Sequence, residues 1–454
     1  MGCTQLIAPS TLEALIPTPA VMSFGKSFRS HFPHLDPAVT PLNHGSFGLT
    51  PGCVTEQQKR VCETQEGYSD RFHFSDAERI YAQQIQALAR YLHLDPRNLA
   101  FVTNATCGVN TVLRSIKWDF SRDRVLLHSV SYAACANTVK FLADYYGLQY
   151  DVVKLDYPLE DDDLLARFHE KLATGSYRLC MFDMISSMPG VKLPYEQLIQ
   201  LCKQHDVLSL VDGAHGAGLV DLQFLDTLQP DFMTTNLHKW LNAPKSCGML
   251  YVNPKHHATI QSLPISWNYS LQNCQYIPNP TTAEDRLQNE SLMHNKFWFA
   301  GTISYAQYFS VEEAIKFREE TCGGEDRIRE YQWQLQRDAV PLVLAEFGPG
   351  AKLLQNSTNT LAVAGMFNVS LPLSEKYSVL KQKLVSDVHY FQNFREKCAA
   401  LMFSRKAFLP LVCHNGELWV RFSVQVYNEL EDYRIGARSV KSAVAEVLDA
   451  ELSA

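Results

Sequence analysis

Two residues near the middle of the chain, Asp212 and Lys239, have the types and the setting to work together on one flat ligand. Each follows an apolar run of β character: Val207-Leu-Ser-Leu-Val leads into Asp212-Gly-Ala-His215, and Phe232-Met-Thr-Thr-Asn236 leads into Leu237-His238-Lys239. In an open parallel sheet ligands bind beyond the carboxyl ends of the strands, so neighbouring strands deliver both side chains to one rim. An aldehyde cofactor needs a lysine amine to form a Schiff base, and its pyridinium nitrogen needs an anion that keeps it protonated and electron-withdrawing. Lys239 and Asp212 supply that pair. Taken singly, each reads more simply as a solvated lysine and a helix cap.

A third segment, Phe101-Val-Thr-Asn104-Ala105-Thr106-Cys-Gly108, passes from an apolar strand end through small polar residues into a helical pattern. Backbone N–H groups at such a helix start, with the Thr106 hydroxyl, form a phosphate cradle; an ordinary capped helix has the same appearance. Near the C-terminus Leu418-Trp-Val-Arg421-Phe-Ser423 sets an arginine inside a strand-like apolar run. A guanidinium there is costly unless paired, either by a substrate carboxylate held bidentately or by a structural salt bridge.

The elements that must position these residues follow from the pattern around them. Short β-rich runs at 124–128, 149–155, 178–185, 207–211, 232–236 and 248–252 alternate with helical spacing at 133–146 and 193–205. That rhythm predicts an α/β fold, with a mostly parallel central sheet and helices on both faces. Residues 256–300, with Pro264, Pro278 and Pro280 among polar and aromatic residues, read as a long functional loop. A helical pattern at 311–316 and 327–345 then leads into a smaller α+β C-terminal domain. The division is therefore a flexible leader over 1–22, a large domain with an N-terminal arm over 23–305, and a small domain over 306–454.

Composition removes several function classes. With 46% apolar and 20% charged residues the chain is globular, and a net charge of −7 without a basic run argues against nucleic acid. No apolar run reaches membrane-spanning length and the first residues lack a signal-peptide pattern, so a cytoplasmic protein is expected. The twelve cysteines show no CxxC or other metal-ligand spacing, and no metal is expected. Gly216-Ala-Gly218 lacks the third glycine of a dinucleotide turn, which disfavours a nicotinamide enzyme.

Taken in order, Asn43-His-Gly-Ser-Phe-Gly48, 104–114, Ser186-Ser-Met-Pro-Gly190, Val211-Asp-Gly-Ala-His215, His238-Lys-Trp-Leu241, Gly301-Thr302 and Arg421-Phe-Ser-Val-Gln-Val-Tyr427 resemble the class V aminotransferase family of fold-type I PLP enzymes. Within it the chain is similar to the isopenicillin N epimerase-like group, and there to the fungal hercynylcysteine sulfoxide lyases of ergothioneine biosynthesis. The resemblance implies pyridoxal 5'-phosphate (PLP) as cofactor, with Lys239 as the Schiff-base lysine and Asp212 on the pyridine nitrogen. It places His215 near the phenolic oxygen, and Ala105, Thr106, Asn236 and His238 around the phosphate. It further implies a homodimer in which Thr302 reaches the phosphate of the second subunit. Tyr132 would cover the cofactor ring, where its phenol could act as a general acid, and His44, Ser46 and Arg421 would bind an amino-acid substrate. Two segments depart from the family pattern: Pro244-Lys245-Ser246 stands where relatives have Pro-Arg-Gly, and the loop around Ser266-Trp-Asn-Tyr269 differs.

The expected reaction is C–S cleavage at a cysteine sulfoxide conjugate such as hercynylcysteine sulfoxide. The alternative is an alkaloid-type, loline-like enzyme that forms or rearranges bonds at the α-carbon. Cysteine desulfuration would need a nucleophilic cysteine on a mobile loop, whereas Cys398 sits in Glu396-Lys-Cys-Ala-Ala-Leu401, a helical pattern. Transamination does not follow from family membership alone.

Overall fold

The computed structural model describes residues 23–453, so the expected leader over 1–22 lies outside the described residues. Seven strands form the large sheet: β1 (Leu99–Val102), β2 (Arg124–His128), β3 (Gln149–Val153), β4 (Tyr177–Asp183), β5 (Leu208–Asp212), β6 (Phe232–Asn236) and β7 (Gly248–Val252). Their spatial order is β1-β7-β6-β5-β4-β2-β3. Strands β6, β5, β4, β2 and β3 run parallel, and β7 is antiparallel to both β6 and β1. The carboxyl ends of β1, β2, β4, β5 and β6 therefore share one edge.

Both faces of the sheet are covered, which is why its strands are apolar almost throughout. Alternate residues go to opposite cores: Val125, Leu127, Leu179, Met181 and Leu210 face the helices Ala105–Ser115 and Ala133–Tyr146, while Leu126, Cys180, Phe182 and Val211 face a second core that includes Phe168 and Leu198. The crossover helices carry their own boundary signals. Asn104 caps Ala105–Ser115 by accepting from the Cys107 N–H at 2.9 Å, Gly147 ends Ala133–Tyr146 with φ +81°, and Asp161, Asp162 and Asp163 open Asp161–Thr174.

A separate three-stranded antiparallel sheet has the order β8 (Met366–Ser370), β10 (Glu417–Ser423), β9 (Leu411–His414). The helices Glu325–Phe347, Val388–Ser404 and Leu430–Leu452 pack with it around an independent apolar cluster. Val311–Lys316 instead packs on Gly52–Gly67 and Ala77–Leu92. The N-terminal arm joins the two bodies. Arg29 pairs with both carboxylate oxygens of Asp432 at 2.6 and 2.7 Å, and Phe32 meets the Tyr427 ring edge-on at 4.9 Å.

Residues 256–300 are more regular than expected, with α-helices at Ala283–Glu290 and Leu292–Phe297. The first is nucleated by a capping box between Thr282 and Asp285, a local signal that the surrounding prolines obscured. Among the described residues no helix is long and apolar enough to cross a membrane.

Gly48 shows how tightly the arm is set against the site. Its φ is +68°, and an added Cβ would lie 1.9 Å from the carbonyl oxygen of His238. Gly48→Ala is expected to lower the thermal unfolding midpoint by about 5 °C or more, through backbone strain and the collision together. An unchanged midpoint in a thermal melt would contradict the packing described.

Candidate active site

The shared edge of strand ends opens onto a cavity of about 350 Å³. Its floor holds two carboxylates, Asp183 at the end of β4 and Asp212 at the end of β5, which lie in register on neighbouring parallel strands. Asp212 Oδ1 accepts from the Ala214 N–H at 3.0 Å, but among the described residues Oδ2 is buried without a nitrogen or oxygen partner, with only the Cys135 thiol near the carboxyl. Burial, and then the charge of Asp183, push the Asp212 carboxyl up to about 6. An unpaired buried acceptor of this kind costs about 1–3 kcal/mol, and a protonated ring nitrogen would satisfy it.

Lys239 reaches the same cavity from the segment after β6. Burial, and then the charge of Arg421, bring its amine down to about 8. The Nζ lies 3.4 Å from His215 Nε2. The other ring nitrogen of His215, Nδ1, accepts from the indole Nε1–H of Trp240 at 3.1 Å. Indole only donates, so the neutral imidazole carries its proton on Nε2 and offers it to the cavity. Burial holds His215 well below the usual histidine range, which keeps it in that neutral form.

The loop carrying Lys239 and Trp240 is fixed from behind by a residue that sequence reasoning missed. Arg318, fully buried, donates to the Trp240 carbonyl, to Asn242 Oδ1 at 2.9 Å and to the Gly218 carbonyl at 2.8 Å. Glu325 pairs with the same guanidinium at 2.5 and 2.7 Å. Arg318 lies in a helical run with no local sign of its distant partners.

At the opposite end of the cavity, Thr106 borders the space from the start of the helix Ala105–Ser115. Asn236 accepts from the Ala105 N–H at 2.8 Å, so it ties β6 to the helix start. His238 donates from Nδ1 to the Cys247 carbonyl at 2.8 Å, leaving Nε2 unused.

Arg421 is 1% exposed, and burial lowers it to about 10. Among the described residues it forms no ion pair. The guanidinium donates to the Ser187 carbonyl at 2.7 Å, Asn43 Oδ1 at 2.9 Å and Ser46 Oγ at 2.8 Å, and Nε has no partner. Of the two readings open in the sequence, the structural salt bridge is absent among the described residues. Ser46 and Ser187 line the cavity and stand between Arg421 and its space. His44 is placed differently from the other expected substrate contacts. Its ring lies behind Lys239, with Nε2 at 3.0 Å from the Lys239 carbonyl and Nδ1 at 2.7 Å from the Tyr427 hydroxyl, so both nitrogens are engaged within the protein. Tyr132, 46% exposed, and Phe47, 69% exposed, stand at the cavity mouth beside Lys245 and Ser246. Thr302 is exposed and does not line this chain's own cavity.

Asp183, Trp240, Asn43 and Ser187 join Arg318 as site residues that the sequence reading did not single out. Asp183 had a signal, since the apolar run Leu179-Cys-Met-Phe182 delivers it as 207–211 delivers Asp212.

This arrangement, with acids and a lysine at the carboxyl ends of a mostly parallel seven-stranded sheet, is that of the fold-type I PLP enzymes. The backbone superposes on the cystine C–S lyase C-DES, solved with its product cysteine persulfide, with a TM-score of 0.66 at 20% identity over 92% of this chain and 99% of that one. The chain belongs to the aminotransferase class-V family, which it matches over residues 50–433, and its cofactor is PLP. It is 27% identical to hercynylcysteine sulfoxide lyase of Schizosaccharomyces pombe, covering 92% of this chain and 97% of that one. It is also 27% identical to the L-cysteine desulfhydrase-like protein lolT1 of Epichloe uncinata, covering 94% and 98%. The cavity fits the cofactor: an orphaned acid for a ring nitrogen, a near-neutral lysine for an aldehyde, and a helix start for a phosphate.

Two outcomes follow. PLP uptake by the apoprotein, timed by visible absorbance, is expected to quicken as pH rises through about 8 and then level off, because only the neutral Lys239 amine attacks an aldehyde. A rate still climbing toward the ordinary lysine range would contradict the buried setting. Asp212→Asn is expected to weaken PLP binding in equilibrium dialysis by about a hundredfold or more, since it removes one partner of a buried ion pair.

Proposed function

We propose that the protein is a PLP-dependent C–S lyase that cleaves a cysteine sulfoxide conjugate, with hercynylcysteine sulfoxide as its substrate. The observation that carries the reading is Lys239: a partly buried amine brought down to about 8, facing His215, in a cavity whose described lining contains no thiol. The relatives that match nearly the whole chain include a sulfoxide lyase and a desulfhydrase-like protein, which supports the same class of chemistry.

Bound in this cavity, PLP supplies an electron sink that makes the α-proton of an amino acid removable. Lys239 would anchor the cofactor through its amine and, as a free amine, would be the base that takes the α-proton. Asp212 would hold the ring-nitrogen proton, and His215 would offer its Nε2–H to the phenolic oxygen. Ala105, Thr106, Asn236 and His238 hold the phosphate end. Arg421 orients the α-carboxylate through the polar group of Ser46 and Asn43, and His44 fixes the backbone of Lys239 from behind. Tyr132 at the mouth donates a proton to the departing sulfur–oxygen group. The C–S bond electrons leave with sulfur as a sulfenic acid, and hydrolysis of the remaining three-carbon fragment gives pyruvate and ammonia. The protein works in the cytoplasm as a homodimer with Thr302 serving the second subunit's phosphate site, a role that suits its exposure outside its own cavity. We place the division between the large and small domains at 305/306, with Val311–Lys316 packing back onto the large body.

The second reading is an alkaloid-type enzyme that forms or rearranges a bond at the α-carbon, favoured by the likeness to lolT1. Desulfuration and transamination rank below both. Cys398 is buried within the helix Val388–Ser404, where burial pushes its thiol up to about 12, so it is no mobile nucleophile.

Purified enzyme given hercynylcysteine sulfoxide is expected to release pyruvate, and Lys239→Ala to lose both pyruvate release and the visible cofactor band. A lysine-dependent band without pyruvate would move the assignment to the alkaloid-type reading.

A further inference from the structure

Lys245 has a place in the cavity that the chemistry at Lys239 does not use. It lies on the connection between β6 and β7, and this connection is rigid. Asn242 donates to the Leu49 carbonyl at 3.0 Å and accepts from Arg318 at 2.9 Å, and the Ala243 N–H donates to the Leu237 carbonyl at 3.2 Å. Asn242 and Ser246 both hold positive φ, +63° and +66°, a conformation that side chains other than glycine adopt at a cost of about 1–2 kcal/mol. The chain thus accepts backbone strain on either side of Lys245 to keep this path.

The ammonium so presented has no counter-ion. Among the described residues Lys245 forms no salt bridge, and its one polar contact is the Gly48 carbonyl at 3.5 Å. Partial burial already lowers its affinity for a proton, so the charge is held at some cost. It lines the same cavity as Ser46, Phe47 and Tyr132, and its charge is felt at His238 and His44. The two cavity carboxylates, Asp183 and Asp212, sit on the floor, where they face the reacting centre. The other cation, Arg421, is bound into the Ser46, Asn43 and Ser187 group. The site therefore has two separate positive positions: one beneath Ser46 for the α-carboxylate and one at the rim.

We infer that Lys245 is a specificity residue that pairs with a carboxylate carried on the leaving group of the substrate, so that the enzyme selects cysteine conjugates with an acidic S-substituent over neutral ones. This rests on the proposed C–S lyase reading for the term leaving group. The pairing itself is a property of the rim. A charge-assisted hydrogen bond between this ammonium and a carboxylate is worth about tenfold or more in affinity.

The test separates binding from cleavage. Holoenzyme is titrated, following the cofactor's visible band, with S-(2-carboxyethyl)- and S-propyl-L-α-methylcysteine, which have no α-proton and are not cleaved. The acidic ligand is expected to bind about tenfold or more tightly than the neutral one. The ratio is expected to fall to within about threefold in Lys245→Met, to persist in Lys245→Arg and to invert in Lys245→Glu, for which an S-(2-aminoethyl) ligand becomes the preferred one. Equal binding of both ligands by the wild type, or a ratio that survives Lys245→Met, overturns the inference. Pyruvate release from the corresponding non-methylated sulfoxides is measured alongside. Discrimination without pyruvate upholds the role of Lys245 and removes the lyase reading, whereas pyruvate without discrimination does the reverse.

Discussion

A carboxylate oxygen with no nitrogen or oxygen partner among the described residues sits at the centre of this protein, and much of the surrounding structure serves to keep it there. Left alone, Asp212 Oδ2 would draw in water or a proton, and its displaced acidity shows the strength of that tendency. The acid is held by a parallel strand on each side, with β4 bringing Asp183 into register and β6 leading on to Lys239. Parallel strands carry their helices on both faces, so the edge where they end is dry on its flanks and open only above. The topology thus makes a site in which a cationic ring is welcome and bulk water is not.

Around that acid the fold uses neutral hydrogen bonds to set the state of ionisable groups. Trp240 fixes the tautomer of His215, and Tyr427 and the Lys239 carbonyl hold His44, which burial brings down to about 3. Ser46, Asn43 and Ser187 hold Arg421 without neutralising it. An ion pair at any of these positions would be less useful, because a charge already matched has little left for a ligand.

The parts of this arrangement that could be read from sequence are those with local signals. Apolar runs of alternating destination announced β2, β4, β5, β6 and β7, and the polar residues ending two of them announced Asp212 and Lys239. Asn104 announced a helix start, and that helix start lines the cavity. What stayed hidden depends on distance along the chain. Arg318 meets Gly218 across 100 residues and Trp240 across 78, and nothing near position 318 encodes either meeting. His44 lay within a legible motif, but which way its ring turned depended on Tyr427, almost 400 positions away. The helix Ala283–Glu290 was missed for the opposite reason, since a local capping box was outweighed by composition averaged over a longer window.

The Arg318–Glu325 pair bears on how separable the two bodies of the molecule are. Glu325 is the first residue of the helix Glu325–Phe347, which packs on β8 and on Leu430–Leu452. Arg318 faces inward, under the loop that carries the lysine. A guanidinium does not give up its proton, so any excision of the C-terminal body that removed Glu325 would strand a full positive charge directly beneath Trp240. The site is formed almost wholly by the larger body, yet that body is not a module that could be inherited or exchanged without the first turn of the smaller one. A breakpoint between residues 318 and 325 would expose that charge, and Arg421 and Tyr427 tie the rest of the smaller body to Ser46 and His44 as well.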